Sequence, residues 1–283
     1  MKVRITLASL ENPSDCDLRH GESAEMRSFF TAATLHGESA MNTAISALVA
    51  LMVLPVASWT AVAQPKEQQV LYAPDANKIV IDMLVAYTPR AADSYADIEK
   101  DLVDLATEEA NQSFRLSNLG GISLRVVHAF RTNYVEDGSY VDHVQRLTDK
   151  ADGYMDEGHG LRNKHRADVV ILVVDDPKSC GIARQVRANA DEAFAVVHHE
   201  CATTSYTLAY VIGQLIGARQ EYAYANGTTW RDIMGSRETC AGCPRIPVWS
   251  SPTVLVKGEP AGTFKRDNAG LIAREAQRVA GFR

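Results

Sequence analysis

The stretch at 167–176 (ADVVILVVDD) constrains the fold more than any other part of the chain. From Val169 to Val174 every residue is apolar, so no alternation is left for a solvent-facing side. A strand of this kind needs packing on both faces, as a central strand of a parallel sheet does. Residues 78–87 (KIVIDMLVAY), bounded by Asn77 and Pro89, and 122–130 (ISLRVVHAF) read as further strands. So does 193–200 (AFAVVHHE), after a loop that starts at Cys180. Helical patterns lie between them. Residues 90–117 place Ile98, Leu102, Leu105, Ala106 and Ala110 on one face, and Gly120-Gly121 ends the pattern. Residues 141–165 read as helical, interrupted at Gly158 and Gly160, and a helix is expected over 204–217. After a loop-rich stretch, a closing helix at 266–281 sets Leu271, Ile272, Ala276 and Val279 on one side. Strands alternating with helices predict an α/β (α+β) layer fold with a mixed twisted sheet and a loop-rich C-terminal part ending in a helix.

The start of the chain reads differently. Residues 41–63 carry an apolar run ending in Ala61-Val62-Ala63 before Gln64, the small-x-small pattern of a cleaved secretory signal. An uncleaved membrane anchor is the rival reading, since the run is nearly long enough to span a bilayer. Residues 1–40 are polar and irregular, either an artefact ahead of a true start at Met41 or a disordered extension. Residues 64–77 read as a flexible entry, and 78–283 as one folded domain with an upper part (78–217) and a lower part (218–283). Export to a secreted or periplasmic location follows, with no membrane contact after cleavage. The net charge of −6 gives nucleic-acid binding no support.

Of five cysteines, Cys16 lies in the extension and Cys180, Cys201, Cys240 and Cys243 in the domain. An even set in an exported chain suggests two disulfides, with three pairings open to it. Cys180–Cys201 and Cys240–Cys243 are preferred, because each pair brackets its own loop. The Cys-x-x-Cys at 240–243 lacks a second ligand pair and lies outside any βαβ pattern, so a bridge is favoured over a zinc or redox role.

Residues 205–222 (SYTLAYVIGQLIGARQEY) carry the chemistry-bearing pattern. Thr203, Thr204 or Ser205 can cap the helix, Leu208, Ile212, Leu215 and Ile216 make its apolar stripe, and Gly217 suits a left-handed end. Tyr210 and Gln214 share a face, and Gln220 follows the Gly217 turn back towards it. This layout resembles the metzincin zinc site, His-Glu-x-x-His-x-x-Gly-x-x-His, with its chemical residues replaced. The three ligand positions read Tyr210, Gln214 and Gln220, and the general-base position reads Val211.

The wider chain resembles bacterial secreted peptidyl-Asp metalloendopeptidases. The resemblance runs from IDMLVAYTPRA (81–91) and EEANQSF (108–114) through CGIA (180–183) and AVVHHECA (195–202) to NGTTWRDIMGS (226–236) and RIPVWSSP (245–252). It implies secretion, a zinc endopeptidase scaffold with a substrate cleft, and Met234 at the Met-turn beneath the metal.

The departures weigh against catalysis. A phenol ionises only near pH 10, and an amide offers a weak neutral carbonyl. Such a set keeps little of the ~10–16 kcal/mol that a good zinc site supplies. Val211 accepts no proton, and loss of a base alone costs on the order of 10²–10⁴ in rate. No cofactor is therefore expected, and no catalytic residue. Tyr210, Gln214 and Gln220 can instead hydrogen-bond one another.

Other residues offer less. His198 and His199, adjacent on a strand, would point to opposite faces, although one of them with Glu200 and Glu221 is an outside candidate for a rebuilt site. His128, His143, His159 and His165 read as solvated, and Asp175-Asp176 as a turn. Arg219 and Arg245 flank the expected cleft as candidates for contacts with acidic peptides, or else pair with Glu221 or Glu238. Trp230 and Trp249 read as core or cleft wall. The leading expectation is an inactive metzincin homologue that binds peptides or a protein partner. The alternatives are an active peptidyl-Asp-type enzyme with a non-standard site, and a decayed or engineered copy with no selected role, since single base changes connect His to Tyr or Gln and Glu to Val.

Overall fold

A computed structural model describes residues 78–283. The expected extension, signal segment and entry segment, with Cys16, lie outside the described residues.

Among the described residues, five strands form the main sheet: β1 (Ile79–Tyr87), β2 (Ile122–Arg131), β3 (Val169–Val174), β4 (Gly181–Ala183) and β5 (Phe194–His198). Their order is β2-β1-β3-β5-β4, with every pair parallel except β4 on β5. All six residues of β3 are buried. Val169, Ile171 and Val173 pack into one cluster, and Val170, Leu172 and Val174 into another on the opposite face. β1 divides likewise, with Met83 and Val85 on the first side and Leu84 and Ala86 on the second. This period of two is why the strand needs helices on both faces.

The first face is covered by a long helical stretch that opens as a wide π-type turn at Glu99–Asp104 and continues as α2 (Leu105–Leu116), α1 being the short turn Pro89–Ala92. The second face is covered by α3 (Tyr140–Thr148), begun by a capping box between Ser139 and Asp142. The expected helix at 141–165 is thus two helices, the second being α4 (Glu157–His165).

The expected strand at 193–200 ends at His198, and His199 opens α5 (His199–Thr204). A left-handed Tyr206, at φ 54°, separates α5 from α6 (Thr207–Ile216), so neither Thr203, Thr204 nor Ser205 caps the latter. α7 (Asn268–Val279) closes the chain and packs on α6 through the first cluster. Two small hairpins, β6 (Ala225–Asn226) with β7 (Trp230–Arg231) and β8 (Leu255–Val256) with β9 (Glu259–Pro260), punctuate the loop-rich stretch. Among the described residues, Cys180 is bonded to Cys201 and Cys240 to Cys243.

Candidate functional site

All ten residues of α6 are buried, so this helix is enclosed rather than amphipathic at a surface. Two glycines make the enclosure possible. A Cβ on Gly213 would stand 2.3 Å from the Trp249 ring, and one on Gly181 in β4 would stand 2.7 Å from Thr207. α6 therefore sits hard against both β4 and Trp249. Gly217 ends it at φ 142°, and the amides of Gly217 and Ala218 both donate to the Gly213 carbonyl at 2.9 and 2.7 Å.

The turn at Gly217 returns the chain to the Tyr210 side. The Tyr210 phenolic oxygen accepts from Gln214 Nε2 at 3.0 Å and from Gln220 Nε2 at 2.8 Å. The three ligand-like positions thus converge on one point. Gln214 Oε1 is buried without a protein hydrogen-bond partner. Val211, fully buried, faces the Gly181 backbone of β4.

Zinc does not suit this donor set. The amide groups turn their N–H ends, which have no lone pair, to the phenol, and as oriented offer a metal no donor atom.

Met234 is fully buried in the same cluster as Tyr210 and Val211. It lies in a turn closed by Gly235 N donating to the Asp232 carbonyl at 3.1 Å. Arg245 ties this turn to α6. Its guanidinium donates to the carbonyls of Ser205 (2.8 Å) and Gly235 (3.1 Å) and lies 5.5 Å from the Tyr210 ring centroid. Arg219 points elsewhere, exposed and 3.1 Å from Glu221. The structure therefore brings Tyr210, Val211, Gln214, Gln220, Met234 and Arg245 together, and leaves the Arg219 side chain apart.

Asp232 was not singled out from sequence. It is completely buried and accepts from the Ser250 amide at 3.2 Å, and burial pushes its carboxyl up to about 7. A lone acidic residue in a loop gives no sequence signal for this.

The histidines need correction. The strand stops at His198, so His198 and His199 do not point to opposite faces; their rings lie 4.7 Å apart. Both approach Asp175, with His199 Nε2 at 3.2 Å from Asp175 Oδ1. Neither Glu200 nor Glu221 takes that place. Burial, and next the neighbouring His199, lower the His198 pKa and favour its neutral form. His143 is not solvated either: it is fully buried, 2.6 Å from the Tyr134 hydroxyl and 3.2 Å from Asp176. His128 and His165 stack on each other at 4.2 Å. Trp249 is a core residue stacked on Phe114, and Trp230 packs in a small separate cluster.

A mostly parallel sheet, a long covering helix, a buried helix ended by a glycine turn and a buried methionine turn beside it define a metzincin-like metalloprotease scaffold. Sequence relatives specify it further. The chain is 35% identical over 221 residues to a peptidyl-Asp metalloendopeptidase of Stenotrophomonas maltophilia, covering 72% of this chain and 52% of that protein. It is 36% identical over 218 residues to one from Xanthomonas campestris, with the same shares covered. A shorter relative of that name from Pseudomonas fragi is matched over its whole length at 27% identity, across 62% of this chain. The chain belongs to this metalloprotease family by homology, and spans about half the length of the first two relatives. No protein-family model matches it. A solved structure described as a chaperone–substrate complex shares the fold, with a TM-score of 0.60 at 18% identity over 73% of this chain and 39% of that one.

Proposed function

We propose that this chain is an exported metalloprotease homologue that does not cut peptides and instead holds a peptide or protein partner. The observation that carries this reading is the Tyr210 phenol accepting from both Gln214 and Gln220. Two of the three positions that would ligate zinc donate to the third, and Val211 supplies no base for a water. Export is supported by the two disulfides, which persist in oxidising compartments. Among the described residues no helix is long and apolar enough to cross a membrane.

Partner binding is supported by kinship to proteins named peptidyl-Asp metalloendopeptidases, which act on peptide chains. The test is incubation with Asp-containing peptides and added zinc, read by mass spectrometry, alongside a titration with the same peptides carrying a fluorophore. Saturable binding without cleavage is expected. Cleavage abolished by a chelator would contradict the inactive reading, and absence of both binding and cleavage would favour a decayed copy.

A further inference from the structure

We propose a second metal site, unrelated to the α6 pattern, in which Asp175, His198 and His199 hold one divalent transition-metal ion of the zinc class. Strand register creates it. Val174 at the end of β3 pairs with His198 at the end of the parallel strand β5. The next residue of β3's chain, Asp175, therefore meets the two histidines where β5 turns into α5. Crevices beyond the carboxyl ends of neighbouring parallel strands are where sheets of this type place ligands.

The distances suit a metal. Asp175 Oδ1 stands 3.2 Å from His199 Nε2 and 3.8 Å from His198 Nε2, and one donor atom from each residue lies within 4.8 Å of the others. Donors about 2.0–2.1 Å from a tetrahedral zinc are roughly 3.3 Å apart, so small side-chain rotations close the set. Two imidazoles and a carboxylate, with no thiolate, fit zinc, cobalt or nickel better than calcium or magnesium. The histidines are buried and Asp175 is partly exposed, which leaves a solvent side for entry and for a water as fourth ligand.

The supporting contacts fix the ligands. The Tyr95 hydroxyl lies 3.0 Å from His199 Nδ1, the position of an outer partner that orients a metal-bound imidazole. Arg90 holds Asp175 Oδ2 at 3.3 Å and so turns Oδ1 to the histidines. The Cys180–Cys201 disulfide anchors α5, and His198 N donates to the Cys180 carbonyl at 2.8 Å. One contact must change. His198 Nδ1 accepts from the Glu200 amide at 3.2 Å, which leaves the ring proton on Nε2. Metal at Nε2 displaces that proton to solvent, and Nδ1 takes one up, so the Glu200 amide loses its partner.

The test uses the whole chain, stripped with a chelator, equilibrated with zinc, dialysed, and assayed for metal by mass spectrometry. One zinc per chain is expected, with X-ray absorption showing two imidazole ligands and faster hydrogen exchange at the Glu200 amide. His199→Gln and Asp175→Asn should each weaken binding at least tenfold, and His128→Gln should not. The X-ray absorption result needs no variant, so a misfolded variant leaves the claim open to refutation. Absence of zinc, zinc without imidazole scattering, or zinc retained by folded His199→Gln and Asp175→Asn would overturn it. Because the readout is metal rather than cleavage, its outcome is separate from that of the inactive-protease reading.

Discussion

Gln220 Nε2 donates to the Tyr210 phenolic oxygen at 2.8 Å across the turn at Gly217, joining the two ends of the ligand-like pattern. Gln214 donates to the same oxygen from one helical turn away. Tyr210→Phe removes the shared acceptor and leaves a buried amide donor unsatisfied at Gln214. A destabilisation of about 1–3 kcal/mol is expected, read as a lowered urea midpoint with an unchanged slope. An unchanged midpoint would mean that the three side chains are not a structural unit.

Gly213 exists for Trp249. Alanine there gains about 1 kcal/mol of helix propensity, but its Cβ meets the indole at 2.3 Å. The ring has nowhere to go: it stacks on Phe114, and its Nε1 donates to Ser113 Oγ at 3.0 Å. Overpacking costs about 1–3 kcal/mol, so Gly213→Ala should be net destabilising with shifted tryptophan fluorescence. Gly120→Ala, with nothing within 4 Å of the added carbon, should lack this clash and leave the tryptophan spectrum unchanged.

The sheet was legible because β3 is an unbroken apolar run and because helical periods separate the strands. Loop spacing favours the observed disulfide pairing over the two others that four cysteines allow. The convergence of Tyr210, Gln214 and Gln220 was legible from a helical repeat plus one glycine. What escaped was short or local. β4 is three residues long, too brief for an alternating pattern to register. The turn between His198 and His199 falls inside an apolar-to-polar run that reads as continuous strand, so the Asp175 cluster was hidden. Tyr206 in a left-handed conformation carries no composition signal, because glycine or asparagine is the usual mark of one. The burial of His143 and Asp232 depends on contacts with distant segments, which local sequence does not display.

Asp232 gives stability a pH dependence of defined sign. Its carboxyl sits near the ordinary value of about 4 when unfolded, and is pushed up to about 7 when buried in the fold. Below about pH 4 both states are protonated and it costs nothing; between about 4 and 7 the unfolded state ionises first, and the fold loses stability as pH rises. Above about 7 the full penalty, of order a few kcal/mol, is present. Asp232→Asn should therefore raise the Tm most at pH 8 and little near pH 4.5, measured by thermal scans across that range. A Tm difference between the two proteins that does not grow with pH would contradict the assignment.

The most direct measurement is cleavage of Asp-containing peptides, with zinc supplied, by the natural chain and by the quadruple variant Tyr210→His, Val211→Glu, Gln214→His, Gln220→His. An intact scaffold lacking only its chemistry predicts no turnover by the natural chain and chelator-sensitive turnover by the folded variant. Chelator-sensitive turnover by the natural chain would contradict that account.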